Sequence, residues 1–349
     1  MNASRGDSST RSGKVTGRIP LFLLSALVLV SVVVLAMGVG SVRLGPLEVV
    51  QGIWQGLNGT LESTSDTIVW QIRLPRVLCA ALVGAALAIS GAAYQGIFRN
   101  PLADPYLLGV ASGAGLGATL ALVFGTTFPF LLPSVPLVSF VFALCFVALT
   151  LSLARQGSAT PLVSLILAGV VLGSSATALT SLLMLTNRED AARVLAWLLG
   201  GFGLSSWAQF GSALPLIALS STVILLAAQP LNILGLGEES AVQLGVRVER
   251  FKIALIVSAT LATAAAVSIS GIIGFVGLIV PHVLRLIFGP DFRKLLPLSL
   301  FGGAVFMVLA DLVARTIIAP AELPIGIITA LIGGPFFLYL LRRRSGLRR

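Results

Sequence analysis

Four long stretches of this chain carry no charged side chain, and they constrain the fold more than any other feature. They cover residues 105–154, 156–187, 194–237 and 253–284. An α-helix rises about 1.5 Å per residue, so each stretch can hold one or two crossings of a bilayer about 30 Å thick. Only 10% of the residues are charged, whereas a soluble domain has about a quarter. The pattern predicts an all-α integral membrane protein.

Proline, glycine and polar clusters divide the apolar sequence into ten candidate spans. The weakest division separates the seventh span from the eighth, where only Ser270, Gly271 and Gly274 indicate a turn. We expect one transmembrane domain over residues 20–342, with a cytoplasmic tail over 1–19 and a basic tail over 343–349. The spans lie near residues 20–41, 77–98, 106–126, 133–154, 161–183, 208–228, 251–270, 272–289, 296–316 and 324–341.

The positions of lysine and arginine predict which ends face the cytoplasm. If the N-terminus lies inside, 17 of the 23 basic residues fall on the inner side. Both termini are therefore expected in the cytoplasm. The net charge of +10 follows from this asymmetry and suits anionic inner-leaflet lipid, so no nucleic-acid partner is inferred. The outer six are Arg43, Arg73, Arg76, Arg188, Arg193 and Arg315.

Signals for catalysis, a metal or a cofactor are absent from the sequence. There is no G-x-x-x-x-G-K-[ST] phosphate loop, so the chain does not hydrolyse ATP by that route. The single histidine, His282, supports neither a metal cage nor a catalytic constellation. An ion-coupled carrier or an intramembrane enzyme, the alternative classes, would need polar groups in mid-span, where a carboxylate costs roughly 2.5–3.5 kcal/mol. If the chain belongs to a pump, we expect the energy source on another polypeptide.

Seven motifs occur together and in an order typical of one family. They are RLPR at 73–76, GAALAISGAAYQ at 84–95, NPLADP at 100–105, LAWLLGGFG at 195–203, PLNILGLGEESAVQLGV at 230–246, GFVGLIVPHVLR at 274–285, and ADLVAR with AELPIG between 310 and 326. With these motifs the chain resembles a permease subunit of the FecCD-type family of ATP-binding-cassette (ABC) importers. Such importers take up iron–siderophores, vitamin B12 and haem. The resemblance covers about residues 20–342.

The resemblance implies a ten-transmembrane-helix type II ABC importer permease in the bacterial plasma membrane. Permeases of this family form a homodimer, or pair with a close paralogue, around a translocation path on the two-fold axis. Two cytoplasmic ATPase subunits are expected below the permease, and a periplasmic or lipid-anchored substrate-binding protein is expected above it.

The polar segment 230–250, between the sixth and seventh spans, is the expected contact with the ATPase. Gly235, Gly237 and Gly245 can bound two short helices, and Glu238 with Glu239 offers acceptors and negative charge at a helix start. In similar permeases this segment inserts into a groove of the ATPase, so the candidate coupling residues are Gly237, Glu238, Glu239 and Gly245. A merely solvated loop is the alternative.

Three arginines match the family's docking residues, which pair with glutamates on the two lobes of the binding protein. They are Arg73, Arg76 and Arg315. Arginine suits this role because its planar fork can meet a carboxylate bidentately. Since the three lie at span ends, they need not be buried, and we expect reversal of their charge to leave folding intact. The alternative for Arg73 and Arg76 is that they only anchor the second span at the lipid headgroups.

Asn100 and Leu102 lie in the turn after the second span. They match positions that help to form the cytoplasmic gate in vitamin B12 permeases. The loop at 155–161 departs from that pattern, so no gate residue is assigned there.

These features together predict the permease subunit of an importer for an iron(III)–siderophore complex. Cobalamin and haem are the alternative cargoes. The WLLGGFG stretch at 197–203 resembles the vitamin B12 permeases as much as the iron permeases.

Overall fold

The computed structural model describes residues 18–40, 42–125, 127–128, 134–157 and 160–346. Residues 1–17 and 347–349 of the two expected tails lie outside the described residues, as do residues 158–159 of the 155–161 loop. The regular elements of the described ranges are helices, so the all-α fold class is confirmed.

Fifteen α-helices make up the described chain. A π-helical stretch, Ile68–Arg73, leads directly into α4, and a 3₁₀ turn, Pro105–Leu108, precedes α5. The helices are α1 (Arg18–Gly38), α2 (Pro46–Asn58), α3 (Thr64–Thr67), α4 (Leu74–Ile97), α5 (Val110–Phe124), α6 (Val135–Ala154), α7 (Leu162–Thr186), α8 (Arg188–Leu198), α9 (Trp207–Leu226), α10 (Ala228–Leu234), α11 (Glu238–Gln243), α12 (Val248–Ser270), α13 (Val276–Phe288), α14 (Phe292–Ala314) and α15 (Ile325–Gly346).

Seven of the helices in the described ranges are long and apolar enough to cross a membrane. They are α1, α4 with the turns before it, α6, α7, α9, α12 and α14. Three shorter apolar helices, α5, α13 and α15, coincide with the other three predicted spans. The chain is therefore a multi-pass membrane protein. The count of ten spans stays a prediction, because a 13-residue helix such as α13 extends only about 20 Å.

The weakest predicted division, between the seventh and eighth spans, is present in the structure. Helix α12 ends at Ser270, and α13 begins at Val276 after an extended stretch. Gly271 has φ +70, and a Cβ atom added there would lie 2.2 Å from the Trp197 carbonyl oxygen. Only glycine fits a left-handed conformation at such a close backbone approach.

Helix α4 lies at the centre of the molecule, and its side chains are almost wholly buried. It packs against α9, α12, α13 and α14. A Cβ atom added at Gly84 would lie 2.2 Å from the Gly303 carbonyl oxygen, and one added at Gly91 would lie 2.0 Å from that of Gly277. Small residues allow helix backbones to approach closely in membranes. Gly84 and Gly91 thus let α4 approach α14 and α13 closely.

Two amphipathic helices, α2 and α8, lie between the predicted spans and were not predicted. In α2, Glu48 accepts a hydrogen bond from the Gly45 N–H at 2.6 Å and Gly59 ends the helix in the left-handed conformation. One face carries exposed apolar side chains at helical spacing, which are Leu47, Val50, Trp54 and Leu57. The opposite face packs through Gly52 and Gly56 against Val69 and Trp70.

Candidate docking, coupling and gate sites

One end of the molecule carries a compact cluster of charged side chains at the start of α4 and the end of α14. Arg76 donates from Nε and Nη2 to Asp311 at 3.0 and 2.8 Å. The Nη1 atom of Arg76 donates to Glu322 at 2.9 Å. The Asp311 side chain is 1% exposed, whereas that of Glu322 is 47% exposed. Arg76 thus joins one buried and one accessible carboxylate.

The other two arginines bind the C-terminal end of α1. Arg73 donates to the Met37 carbonyl at 2.6 Å and also to the Val42 carbonyl. Arg315 donates to the Ala36 carbonyl, and its Nε lies 3.7 Å from Asp311. The last carbonyls of a helix lack intrahelical donors and form the negative end of its dipole. Both guanidinium groups therefore act as caps for α1.

The three arginines predicted to dock a partner are thus brought together by the fold, and all three are buried. Their exposed fractions are 5% for Arg73, 9% for Arg76 and 7% for Arg315. Removing one member of a buried ion pair leaves an uncompensated charge, which strongly destabilises a fold. The expectation that these residues need not be buried is therefore wrong. The effect of charge reversal on folding stays a prediction, and burial indicates that reversal would be destabilising, most directly at Arg76 because it pairs with Asp311.

Sequence reasoning missed the two acids of this cluster, although both lie in motifs that it had singled out. Asp311 belongs to ADLVAR and Glu322 to AELPIG. Asp311 stands four residues before Arg315, a spacing that places two side chains on one helix face. That spacing was the available signal, whereas the pairing with Arg76, 235 residues away, could not be read locally.

The predicted coupling segment forms two short helices, α10 and α11, joined by a turn. Gly237 has φ +119 directly before Glu238 begins α11. Gly245, with φ +83, follows the helix, and its N–H and that of Val246 donate to the Val242 and Ala241 carbonyls. This is a Schellman motif, which requires a left-handed residue at the Gly245 position. Glycine therefore bounds α11 at both ends, as expected.

Polar contacts join the coupling segment to two spanning helices. Glu238 accepts a hydrogen bond from Lys252 of α12 at 2.6 Å. Asn232 of α10 donates to Asp291 at 2.7 Å and accepts from the Phe292 N–H of α14 at 2.9 Å. These partners of the segment were not predicted. A displacement of α10 and α11 would therefore act directly on α12 and α14.

The outer face of the coupling segment is exposed and partly apolar. Leu236, Val242 and Leu244 are each more than half exposed, and Glu239 is exposed beside them. Leu234, Ala241 and Val248 pack together beneath them. The segment is thus a packed unit with an apolar and acidic surface, rather than a solvated loop.

The turn that holds the two predicted gate residues is rigidly built. Asn100 accepts a hydrogen bond from the Leu102 N–H at 2.9 Å, and Arg99 adopts the left-handed conformation with φ +46. The Leu102 side chain is exposed. Asp104 caps the following 3₁₀ turn through the Tyr106 N–H at 2.7 Å. Burial raises the pKa of the Asp104 carboxyl to about 6, and that hydrogen bond opposes the shift.

A cavity of about 860 Å³, widely open on one side, lies along α7, between this helix, α5 and the start of α13. Its lining from α7 consists of Gly169, Val170, Gly173, Ser174, Thr177, Ala178 and Ser181. Helix α7 is apolar enough to span a membrane, yet most of its surface is left uncovered by the rest of the chain. The hydroxyl groups of Thr177 and Ser181 donate to the Gly173 and Thr177 carbonyls one turn earlier, so they are satisfied within α7.

Among the described residues no group of three or more His, Cys, Asp or Glu side chains could hold a metal ion. His282 is buried, and its ring packs edge-on against Phe336 with ring centres 6.0 Å apart. His282 is thus packed among aromatic side chains of α15.

Comparison with known proteins identifies the family. The model of the FecCD transport family matches residues 27–343. YvrB, an uncharacterized ABC transporter permease protein of Bacillus subtilis, is 43% identical over 321 residues, which are 90% of this chain and 91% of YvrB. The cobalamin import system permease BtuC of Halobacterium salinarum is 46% identical over 81% of this chain and 75% of its own length. The hemin transport system permease HmuU of Yersinia pestis is 40% identical over 95% of this chain and 98% of its own length.

Solved structures agree with this assignment. A protein described as a putative metal-chelate type ABC transporter, solved in an inward-facing conformation, superposes with a TM-score of 0.81 at 35% identity. The match covers 93% of this chain and 99% of that one. The family match spans most of the sequence, and the helices carry the same arrangement. This chain therefore belongs to the FecCD transport family and is a membrane-embedded permease of an ABC importer.

Proposed function

We propose that this permease forms the transmembrane path for an iron(III)–siderophore complex, driven by ATP hydrolysis on a separate subunit. The cavity of about 860 Å³ along α7 is the observation that supports a transmembrane path. Its lining combines glycine and hydroxyl side chains of α7 with apolar side chains such as Leu107, Val170 and Leu278, so a bulky chelate could pass it without being held tightly. Transport requires binding weak enough for release.

The open face of α7 also supports a paired permease. A second copy, or a close paralogue, would cover this uncovered surface and complete the wall of the path. A symmetric homodimer would place two copies of this face around a common axis. Membrane lipid would contact the remaining apolar surface.

Two cytoplasmic ATPase subunits are the proposed source of motion. The apolar and acidic surface of α11 would enter a groove on the ATPase, with Glu238, Glu239 and the turn at Gly245 in contact. Lys252 and Asn232 would pass the displacement to α12 and α14, since they join these helices to the segment. Asn100 and Leu102 would form part of the gate at the same end of the molecule. Both termini would lie in the cytoplasm, on the inner side of a bacterial plasma membrane.

A periplasmic or lipid-anchored substrate-binding protein would dock at the opposite end, over the cluster of Arg73, Arg76 and Arg315. The burial of these arginines leaves little guanidinium surface for a partner, and Arg76 is the one that reaches an accessible side chain, Glu322. We therefore assign the direct docking contact to Arg76. Arg73 and Arg315 support it by fixing α1.

Cobalamin and haem are the second candidates for the cargo. Relatives named for cobalamin and for hemin are 46% and 40% identical to this chain, whereas the siderophore assignment rests on the family resemblance. All three cargoes are bulky metal chelates, and the solved metal-chelate type transporter agrees with that class.

Transport by the reconstituted complex decides among these cargoes. The permease, its ATPase and the binding protein encoded with them would be placed in liposomes. The uptake of a radiolabelled ferric siderophore, cobalamin and haemin would then be compared. Selective, ATP-dependent uptake of the siderophore supports the proposal, and selective uptake of cobalamin or haemin replaces it with the corresponding alternative.

A further inference from the structure

Only one ion pair of the outer cluster can be exchanged for a contact with a partner. Asp311 is 1% exposed and receives two donors of Arg76, so it cannot be released without burying a bare carboxylate. Glu322 receives the single donor Nη1 at 2.9 Å, and its side chain is 47% exposed. A partly exposed pair contributes only about 0–1 kcal/mol, so it can open at little cost.

The guanidinium groups of the other two arginines cannot be released for a partner in the same way. Arg73 and Arg315 donate to backbone carbonyls at the end of α1, as described above. Withdrawing either guanidinium would leave a helix-terminal carbonyl without its donor. Their role in docking is therefore to hold the site, not to reach the partner.

We propose that Glu322 is a displaceable counter-ion. It holds the Nη1 edge of Arg76 in the undocked permease, and a carboxylate of the docking partner takes its place. The inference rests on the docking role proposed above for the outer arginines. It refines that role, because the partner must supply an acidic side chain and must also displace the Glu322 carboxylate.

The surroundings of Glu322 suit such an exchange. Leu204 is 90% exposed and follows Gly203, where an added Cβ atom would lie 3.7 Å from the Glu322 carboxylate. Ile317 and Ile318 are also exposed, in the same loop as Glu322. An apolar rim around a charged centre excludes water when a partner covers it, which strengthens the ion pair at the centre.

The exchange predicts that removing the charge of Glu322 tightens docking. With Glu322→Gln, Arg76 keeps its ion pair with Asp311. The carboxylate of the partner then no longer competes with Glu322 for the Nη1 edge of Arg76 and is not repelled by the Glu322 charge. We expect affinity for the binding protein to rise about three- to fivefold, the range of one exposed ion pair. The affinity should also fall more steeply with salt than in the wild type, because an ion pair is then formed rather than exchanged.

The test uses the permease–ATPase complex in lipid nanodiscs and the purified binding protein encoded with it. Dissociation constants would be measured by surface plasmon resonance over a series of salt concentrations. Glu189→Gln is the matched control, since it removes an exposed acid of α8 that makes no contact with Arg76. Glu322→Ala repeats the test if the glutamine variant does not assemble.

The outcomes separate this inference from the docking role on which it rests. Tighter, more salt-sensitive binding by the Glu322 variant, with Glu189→Gln like the wild type, supports the exchange. Unchanged or weaker binding overturns it. Arg76→Lys keeps a charge near Asp311 but loses the fork, so it should weaken docking. If Arg76→Lys weakens binding and Glu322→Gln does not tighten it, only the exchange fails; if neither variant alters binding, the docking role fails as well.

Discussion

At the scale of single residues, Arg76 determines the charge balance of the outer cluster. It lies between Asp311, which is sealed from solvent, and Glu322, which is not. A buried ion pair is weak evidence for net stability, because desolvation offsets much of the attraction. Removing one partner of the pair is nevertheless strongly destabilising, because the other charge stays buried without compensation. Arg76 is therefore needed for folding as well as for the proposed docking.

Reversing the charge of Arg76 should destabilise the protein. Arg76→Glu places a second acid beside Asp311, and the loss of a buried partner costs about 3–5 kcal/mol. Thermal unfolding of the purified protein in detergent would measure the change. Arg188→Glu, an exposed site at the start of α8, should shift the midpoint little. Adding Asp311→Arg to Arg76→Glu should recover part of the loss; if Arg76→Glu unfolds like the wild type, the ion pair is not structural.

At the scale of elements, the packing of α4 depends on glycines that let two neighbouring backbones approach it. Gly84 meets Gly303 of α14, and Gly91 meets Gly277 of α13. The nearest atom facing each glycine is a backbone carbonyl oxygen, which cannot rotate away. If either glycine is replaced by a larger residue, the two helix backbones must therefore move apart, and no side-chain rearrangement can preserve their contact.

Alanine at Gly91 should therefore be harmful, although alanine normally favours a helix by about 1 kcal/mol over glycine. The added methyl group would lie 2.0 Å from the Gly277 carbonyl oxygen. Overpacking of this kind costs about 1–3 kcal/mol. Gly211→Ala in α9 is the matched control, because nothing lies within 4 Å of its added Cβ. Thermal midpoints in detergent should fall for Gly91→Ala and hold or rise for Gly211→Ala, and equal midpoints would contradict the packing account.

The coupling segment allows a prediction about function, because its proposed role is to receive motion from the ATPase. Glu238→Lys with Glu239→Lys should remove the acidic surface of α11 and set a lysine against Lys252. Gly245→Val should distort the turn, since valine does not tolerate φ +83. Combined, these changes should reduce ligand-stimulated ATP hydrolysis of the liposome-reconstituted complex to its basal rate, with docking of the binding protein unchanged.

Two controls accompany that measurement. Gly245→Asn should retain most activity, because asparagine tolerates the left-handed conformation. Glu62→Lys changes an exposed charge far along the sequence from the segment and should leave hydrolysis unaltered. Full stimulation by the combined Glu238, Glu239 and Gly245 variant would mean that coupling enters the permease elsewhere.

An element could be predicted from the sequence when its signal lies within one short stretch of residues. The spans were located because each is a long uncharged run, and α11 because glycine and glutamate mark its ends. The helices α2 and α8 were missed because a short amphipathic helix has neither an apolar run nor a distinctive composition. Asp311 and Glu322 were missed as partners of Arg76 because tertiary packing joins them from distant positions. Local pattern specifies helices, whereas partners across the fold require the structure.

At the scale of the whole molecule, the account predicts a definite topology. The basic residues assign both chain ends to the cytoplasm, together with the gate turn and α11. The Arg76 cluster lies at the other ends of α4 and α14 and should face outward. Single cysteines at Asn100 and at Glu62, in a cysteine-free background, would be labelled with a membrane-impermeant maleimide in intact spheroplasts. Labelling should reach position 62 but not position 100, and labelling at 100 alone would invert the assigned orientation.

The account's central claim is that this chain supplies the path while a partner supplies the energy. The sequence has no phosphate loop, so ATP hydrolysis is expected on another subunit. The cavity along α7 is the proposed path, and the surface of α11 is the proposed entry point for motion. Both proposals require partner subunits.

Cargo uptake under controlled energy supply tests this claim most directly. Liposomes holding the permease with its ATPase would receive the loaded binding protein outside, with ATP enclosed inside or withheld. Accumulation should require enclosed ATP, should stop when the catalytic lysine of the ATPase phosphate loop is replaced, and should survive ionophores that collapse ion gradients. Accumulation that continues without ATP and disappears with an ionophore would show an ion-coupled carrier and would contradict the account.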